Sequence, residues 1–129
     1  MLLPIGWLTY TILTTDMGLT YTLLDEGVQI EHKGFLIMLA EKKLIPYDDI
    51  TDIQVLERVP KMRKLYGLDG LRTWIGDFTS PEYGRVKVYI SNRNWAAIII
   101  KTKNQTYVIT PEHAAQFARQ MQTKWELRP

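Results

Sequence analysis

Apolar and polar positions alternate in short runs over most of this chain, and only near its end does the period lengthen. Leu19, Tyr21 and Leu23 share one face at period two, as do Val28, Ile30 and His32, and again Val86, Val88 and Ile90. That spacing marks strands buried on one side. The pattern predicts strands over residues 7–15, 19–24, 28–32, 35–40, 42–47, 50–56, 85–90, 95–101 and 106–109. Between them stand turn formers: Asp16-Met17-Gly18, Asp25-Glu26-Gly27, Lys33-Gly34, Asn92-Arg93-Asn94 and Lys103-Asn104-Gln105. The run over 95–101 is almost wholly apolar, as a central strand would be. From Thr110 the rhythm changes. Ala114, Phe117, Ala118, Met121 and Trp125 recur at three- and four-residue steps, one apolar stripe of a helix. Thr110 is a good N-cap, Pro111 suits the first helical position and Glu112 favours the positive end of the dipole, so the helix is expected over 110–126. The expectation is a mainly β chain with one C-terminal helix, a small barrel or sandwich with the helix packed on it.

Residues 58–83 break the pattern. Pro60, Gly67, Gly70, Gly76 and Pro81 interrupt regular structure there, and the stretch reads as a long loop, which in a small domain is usually functional or poorly ordered. Within the N-terminal segment, residues 1–18, the apolar run over 1–13 is too short to span a bilayer, which takes about twenty residues. It also lacks the positive start and small-residue cleavage site of a signal peptide, since the first basic residue of the chain is Lys33. Threonines and Tyr10 favour an extra strand there, with a lipid- or partner-facing anchor as the alternative. The 129 residues make one domain, with the strand set over 19–109. Absent cysteine excludes disulfides, thiol catalysis and cysteine-based metal sites, and agrees with a cytoplasmic setting.

Net charge is only +2, which makes nucleic acid an unfavoured partner, but the charge is uneven. Arg58, Lys61, Arg63, Lys64 and Arg72 are opposed within their window only by Asp69, giving that window +4 and leaving −2 elsewhere. Tyr66, Trp74 and Phe78 are interleaved with them. Basic residues mixed with aromatics can bind anionic headgroups or another anionic partner, and Arg58, Lys61, Arg63, Lys64, Arg72 and Trp74 are the candidate binding residues. The bland alternative is a solvated loop whose aromatics tuck back on the barrel. At about 1 kcal/mol per cation near an anionic membrane, +4 supplies roughly 4 kcal/mol, near-millimolar affinity. A second anchor is then needed, and Leu2, Leu3, Ile5, Trp7 and Leu8 are the obvious one.

Catalytic chemistry finds little support. His32 and His113 lie far apart, Ser80 and Ser91 sit in no nucleophile-elbow pattern, and Gly67-x-x-Gly70 lacks the strand-before, helix-after setting of a phosphate loop. Asp48, Asp49 and Asp52 form a carboxylate cluster that reads as a solvated strand entrance, with a hard-cation site as the alternative. No enzyme activity, metal or cofactor is expected.

Four segments together resemble the bacterial pleckstrin-homology-like (PH-like) domain family. They are residues 21–30 (YTLLDEGVQI), residues 44–50 (LIPYDDI), Gly76-Asp77-Phe78 followed by residues 83–89 (YGRVKVY), and residues 98–103 (IIIKTK) followed by residues 107–117 (YVITPEHAAQF). The likeness runs from about Thr20 to Trp125. It implies two near-orthogonal antiparallel sheets of about seven strands capped by the helix, and very little about activity. Phosphoinositide-binding relatives of the fold use a basic first hairpin, whereas here that turn is the acidic Asp25-Glu26-Gly27, which argues against that mode. The function expected is a module that binds an unknown protein partner or itself near the cytoplasmic membrane face. The alternative is peripheral binding to anionic lipid through the basic 58–74 segment and the apolar N-terminus.

Overall fold

The computed structural model describes residues 18–34 and 39–128. The strand expected at 7–15, the anchor alternative and most of the 35–40 run fall outside the described residues. Leu39 and Ala40 are described and belong to no strand.

Two sheets carry the chain. The smaller is an antiparallel meander of β1 (Thr20–Leu23), β2 (Gly27–His32) and β3 (Glu41–Pro46). The acidic Asp25-Glu26 turn closes its first hairpin, where the amide of Leu24 donates to the carbonyl of Gly27 at 2.9 Å. A 3-10 turn, Tyr47–Asp49, then leads into the larger sheet. That sheet holds β4 (Ile50–Leu56), β5 (Arg63–Asp69), β6 (Trp74–Ser80), β7 (Gly84–Ile90), β8 (Ala97–Thr102) and β9 (Thr106–Ile109) in the order β4-β8-β9-β7-β6-β5. Helix α1 (Ala114–Glu126) closes the chain.

The fold class is the one expected, mainly β with a C-terminal helix, and it is not a closed barrel. Three particulars differ. Nine strands stand among the described residues rather than about seven. Strands β7 and β9 run parallel, with Val88 beside Val108, so the sheet is not wholly antiparallel. And residues 58–83 are not one loop: they hold β5 and β6, a hairpin paired from Arg63–Thr79 to Asp69–Trp74.

The glycines that suggest a break are what let this hairpin form. Gly67 and Gly76 face each other across it, at φ +132° and +139°. Side chains rarely adopt such backbone angles, and a Cβ on either would press into the opposite strand. The hairpin bends sharply here, and a bulge between Lys64 and Tyr66 adds to the bend. Lys64 and Asp69 report it directly. Five residues apart on one strand, their Cα atoms would be about 17 Å apart if it were flat, farther than the two side chains reach, yet Lys64 Nζ lies 2.9 Å from Asp69 Oδ1.

Each face of the large sheet has a core. One face packs on the small sheet and α1 around Val28, Ile30, Ile45, Ile98, Ile100, Ile109 and Met121. The other gathers Phe78, Val86, Val88, Ile90, Ile99 and Val108. Strands β4 and β5 are consecutive in the chain but lie at opposite edges, so residues 57–62 must pass across this second face. Val59 and Met62 of that connector pack on it, and Tyr83 closes it from the β6–β7 turn. The Tyr83 hydroxyl donates to Gln54 Oε1 at 3.2 Å, with the Lys101 ammonium 5.5 Å from its ring.

The helix starts later than its sequence signals suggest. Its apolar stripe is as expected, with Ala114, Ala118 and Met121 buried and Phe117 and Trp125 half-buried. Thr110, however, caps nothing in α1. Its hydroxyl accepts from the backbone amides of Ser91 at 2.9 Å and Asn92 at 3.3 Å, and α1 begins after His113, which is left-handed at φ +56°.

Candidate functional site

The linear basic cluster does not become one patch. Arg58 and Lys61 lie on the connector and Arg63 and Lys64 open β5, all exposed. Arg72 lies past the other end of β5, in the turn to β6. Lys64 is engaged by Asp69, whose carboxyl its hydrogen bond holds below the usual range. The +4 window therefore splits into four cations on the connector and at the start of β5, one of them paired with Asp69, and Arg72 beyond the bend.

Arg72 gains a different companion, one the linear pattern does not suggest. The amide of Arg93, in the β7–β8 turn, donates to the carbonyl of Arg72 at 2.8 Å, and Thr73 Oγ1 donates to the carbonyl of Ser91 at 3.0 Å. These bonds bring the β5–β6 and β7–β8 turns side by side at one end of the sheet. The Arg93 guanidinium stands 5.6 Å above the ring of Trp74. Trp74 in turn stacks on Phe78 with centroids 5.3 Å apart, and its indole N–H donates to the carbonyl of Gly70 at 2.9 Å. A cation–aromatic stack built this way holds a charge in place while leaving it in water. Leu71, at the tip, is 86% exposed, and Trp95 in the facing turn is half-buried. Neither turn carries a carboxylate over residues 70–76 or 91–98. Arg93, Leu71 and Trp95 are thus site residues that sequence reasoning missed. Asn92-Arg93-Asn94 signals a turn, but nothing local says which other turn it meets.

The remaining candidates have structural partners. Ser80 Oγ accepts from the amides of Glu82 and Tyr83 at 3.2 and 3.3 Å and so shapes the β6–β7 turn. Ser91 belongs to a buried knot between the sheets. Tyr21 donates to the carbonyl of Tyr89 at 2.6 Å and accepts from the Ser91 amide at 3.1 Å, while Ser91 Oγ donates to the carbonyl of Thr110 at 2.9 Å. Burial pushes the Tyr21 phenol up, opposed by its hydrogen bonds to Ser91 and Thr110. His32, 4% exposed, sets Nε2 3.4 Å from Glu41, whose other oxygen accepts from the Tyr89 hydroxyl at 3.0 Å. Burial and the Glu41 charge drive the Tyr89 phenol far above its ordinary range. The cluster joins the ends of β2 and β3 to β7. His113 is exposed beside Glu112. Asp48 pairs with Arg128 at 3.3 Å, and among the described residues no group of three or more His, Cys, Asp and Glu is placed to hold a metal ion. No helix among them is long and apolar enough to cross a membrane.

A family model described as "Bacterial PH domain" matches residues 19–125. No curated protein and no solved structure gave a match. The chain belongs to the bacterial PH domain family, whose domains are typically non-catalytic binding modules.

Proposed function

We propose that this bacterial PH domain is a non-catalytic module that docks its two-turn tip on an anionic membrane surface. The observation that carries the reading is the joining of the β5–β6 and β7–β8 turns. It sets Arg72 and Arg93 beside an almost fully exposed Leu71, with no carboxylate in either turn. A leucine that enters the acyl boundary, flanked by arginines that stay at headgroup level, is the arrangement an anionic interface favours. Half-buried indoles such as Trp74 and Trp95 suit the same depth.

The magnitude limits what the tip does alone. Two arginines contribute about 1 kcal/mol each near an anionic leaflet. Burying one leucine side chain contributes roughly 1.5–3 kcal/mol. A sum near 4 kcal/mol corresponds to about millimolar affinity, so the tip orients a domain already held near a membrane rather than recruiting it from dilute solution.

Co-sedimentation of the whole chain with vesicles tests this. Pure phosphatidylcholine is compared with the same lipid carrying phosphatidylserine, at low and high salt. Binding to the anionic vesicles alone, weakened by salt and abolished by Arg72→Glu with Leu71→Ser at unchanged melting temperature, supports the reading. Absence of binding at high vesicle concentration, or binding indifferent to those substitutions, overturns it.

A further inference from the structure

The large sheet has two outer strands, and they differ in how well they resist another strand. Strand β5 is blunted: it carries Arg63 and Lys64, a bulge, and the Gly67 bend. Each of these is a known means of preventing edge pairing. Strand β4 has none of them over its second half. Its register with β8 runs unbroken from Asp52–Lys101 to Leu56–Ala97, and residues 52–56 contain no Lys, Arg, Pro or Gly. Gln54 is exposed and Val55 is 44% exposed. β4 pairs with β8 alone among the described strands, and none of them lies on its other edge.

The charges flanking β4 say what fits that edge. Asp48, Asp49 and Asp52 lie at its start, Asp48 paired with Arg128, and Glu57, Arg58 and Lys61 follow its end with a net charge of +1, all four carboxylates and both cations exposed. We infer that β4 pairs antiparallel with β4 of a second copy of this chain, about a two-fold axis at Gln54. In that register Ile53 faces Val55 of the partner, apolar against apolar on one face of the joined sheet. The two Gln54 amides meet on the axis, where each can donate and accept. The acidic entrance of each copy lies against the exit of the other, where Arg58 and Lys61 outweigh Glu57. A parallel alignment would set like charges together, so the flanks select the antiparallel one. The two sheets become one continuous twelve-stranded sheet, and the contact is isologous and closes at two copies. The surface is separate from the membrane tip, and this inference does not rest on that reading.

Charge reversal supplies the test. One variant carries Asp49→Lys and Asp52→Lys, making both flanks basic; the other carries Arg58→Glu and Lys61→Glu, making both acidic. Light-scattering mass is measured for the whole chain from low micromolar to submillimolar concentration. Wild type is expected to rise from one chain to two. Each variant alone is expected to remain at one chain. An equimolar mixture is expected to regain two, because every flank again meets its opposite. Circular dichroism and melting temperature show that the variants are folded, and Val55→Lys provides an independent block of the same edge. Wild type at one chain throughout, or a folded variant pair that does not recover in the mixture, or a Val55→Lys chain that still pairs, overturns the inference.

Discussion

Gly76→Ala isolates the physics of the bent hairpin. The residue lies inside the large sheet, on β6 between β5 and β7, at φ +139°, with the backbone of its partner Gly67 so close that an added Cβ would lie 2.8 Å from the Gly67 Cα and press into the Tyr66 carbonyl. Holding alanine in this part of backbone space costs about 1–3 kcal/mol. Forcing β5 away from β6 to admit the methyl costs a further 1–3 kcal/mol or so, as overpacking does elsewhere. The stiffer unfolded chain returns about 0.4–1 kcal/mol. The balance is a loss of roughly 3 kcal/mol, a large share of a net stability of about 5–15 kcal/mol. For a domain of this size it lowers Tm by on the order of 10 °C. Two other glycines separate the contributions. Gly84, at φ +71° with nothing within 4 Å of an added methyl, carries the conformational strain alone, and Gly84→Ala should cost about 1–2 kcal/mol. Gly70 has no positive φ and its nearest neighbour is the Thr73 carbonyl at 3.3 Å, so Gly70→Ala should stay within about 1 kcal/mol of wild type. Urea unfolding followed by far-ultraviolet dichroism, with hydrogen exchange of the β5 amides, reads all three. Equal losses at Gly76 and Gly70, or a Gly76→Ala protein with wild-type β5 protection, would show that the bend is not imposed by the paired glycines.

Other consequences are smaller in scope. Tyr21→Phe removes the donor to the Tyr89 carbonyl inside a buried knot, and should cost about 1–3 kcal/mol in urea unfolding. A cost near zero would mean that the knot is satisfied by other groups. Met121 is fully buried while Phe117 is half-buried, so Met121→Ala should cost about 2–5 kcal/mol and Phe117→Ala less than the 3–5 kcal/mol usual for a buried ring. The reverse order of melting temperatures would place the helix differently on the core. Burial, with a contribution from Asp25, raises the Tyr47 phenol to about 12 from 10.0. The folded state then holds its proton where the unfolded chain has lost it, so that contribution to stability is intact below pH 10.0 and declines as pH rises toward about 12. Tyr47→Phe should flatten this alkaline decline while costing about 1 kcal/mol at neutral pH for the lost bond to the Leu24 carbonyl; an unchanged slope would assign the decline to other tyrosines.

Strand alternation is legible wherever it has one buried face. Residues 19–24, 28–32, 50–56, 85–90 and 106–109 read as strands and are strands in their greater part. The failures have specific causes. In the β5–β6 hairpin Gly67 and Gly76 read as breakers because their usual role is to end a strand, whereas here each permits the other's approach across a bent pair. At the helix start Thr110-Pro111-Glu112 meets every local criterion. The decisive competitor is tertiary: the Ser91 and Asn92 amides, nineteen and eighteen residues earlier, hold the Thr110 hydroxyl. A cap residue offers an oxygen, and the sequence around it does not say which amide will take it.

The candidate site shows the same division between what is local and what is assembled. Five cations in one window suggest a single basic surface, and that inference assumes the window stays together in space. Strand β5 runs through its middle, so Arg72 leaves the group and joins Arg93 instead. The window's near end acquires a different neighbour, because Arg58 and Lys61 follow β4 just after Glu57, and the entrance of β4 is Asp48, Asp49 and Asp52. Along the chain the acidic and basic groups look like two unrelated features. With β4 between them they lie at opposite ends of one edge strand. The charge run is then two segments divided by a strand, one joined to a neighbouring turn and the other, in the proposed pairing, set against the acidic entrance of a second copy. Neutralising Arg72 should accordingly weaken vesicle binding and leave self-association alone, while reversing Arg58 and Lys61 should do the opposite. A single contiguous basic patch would make both substitutions act on both measurements.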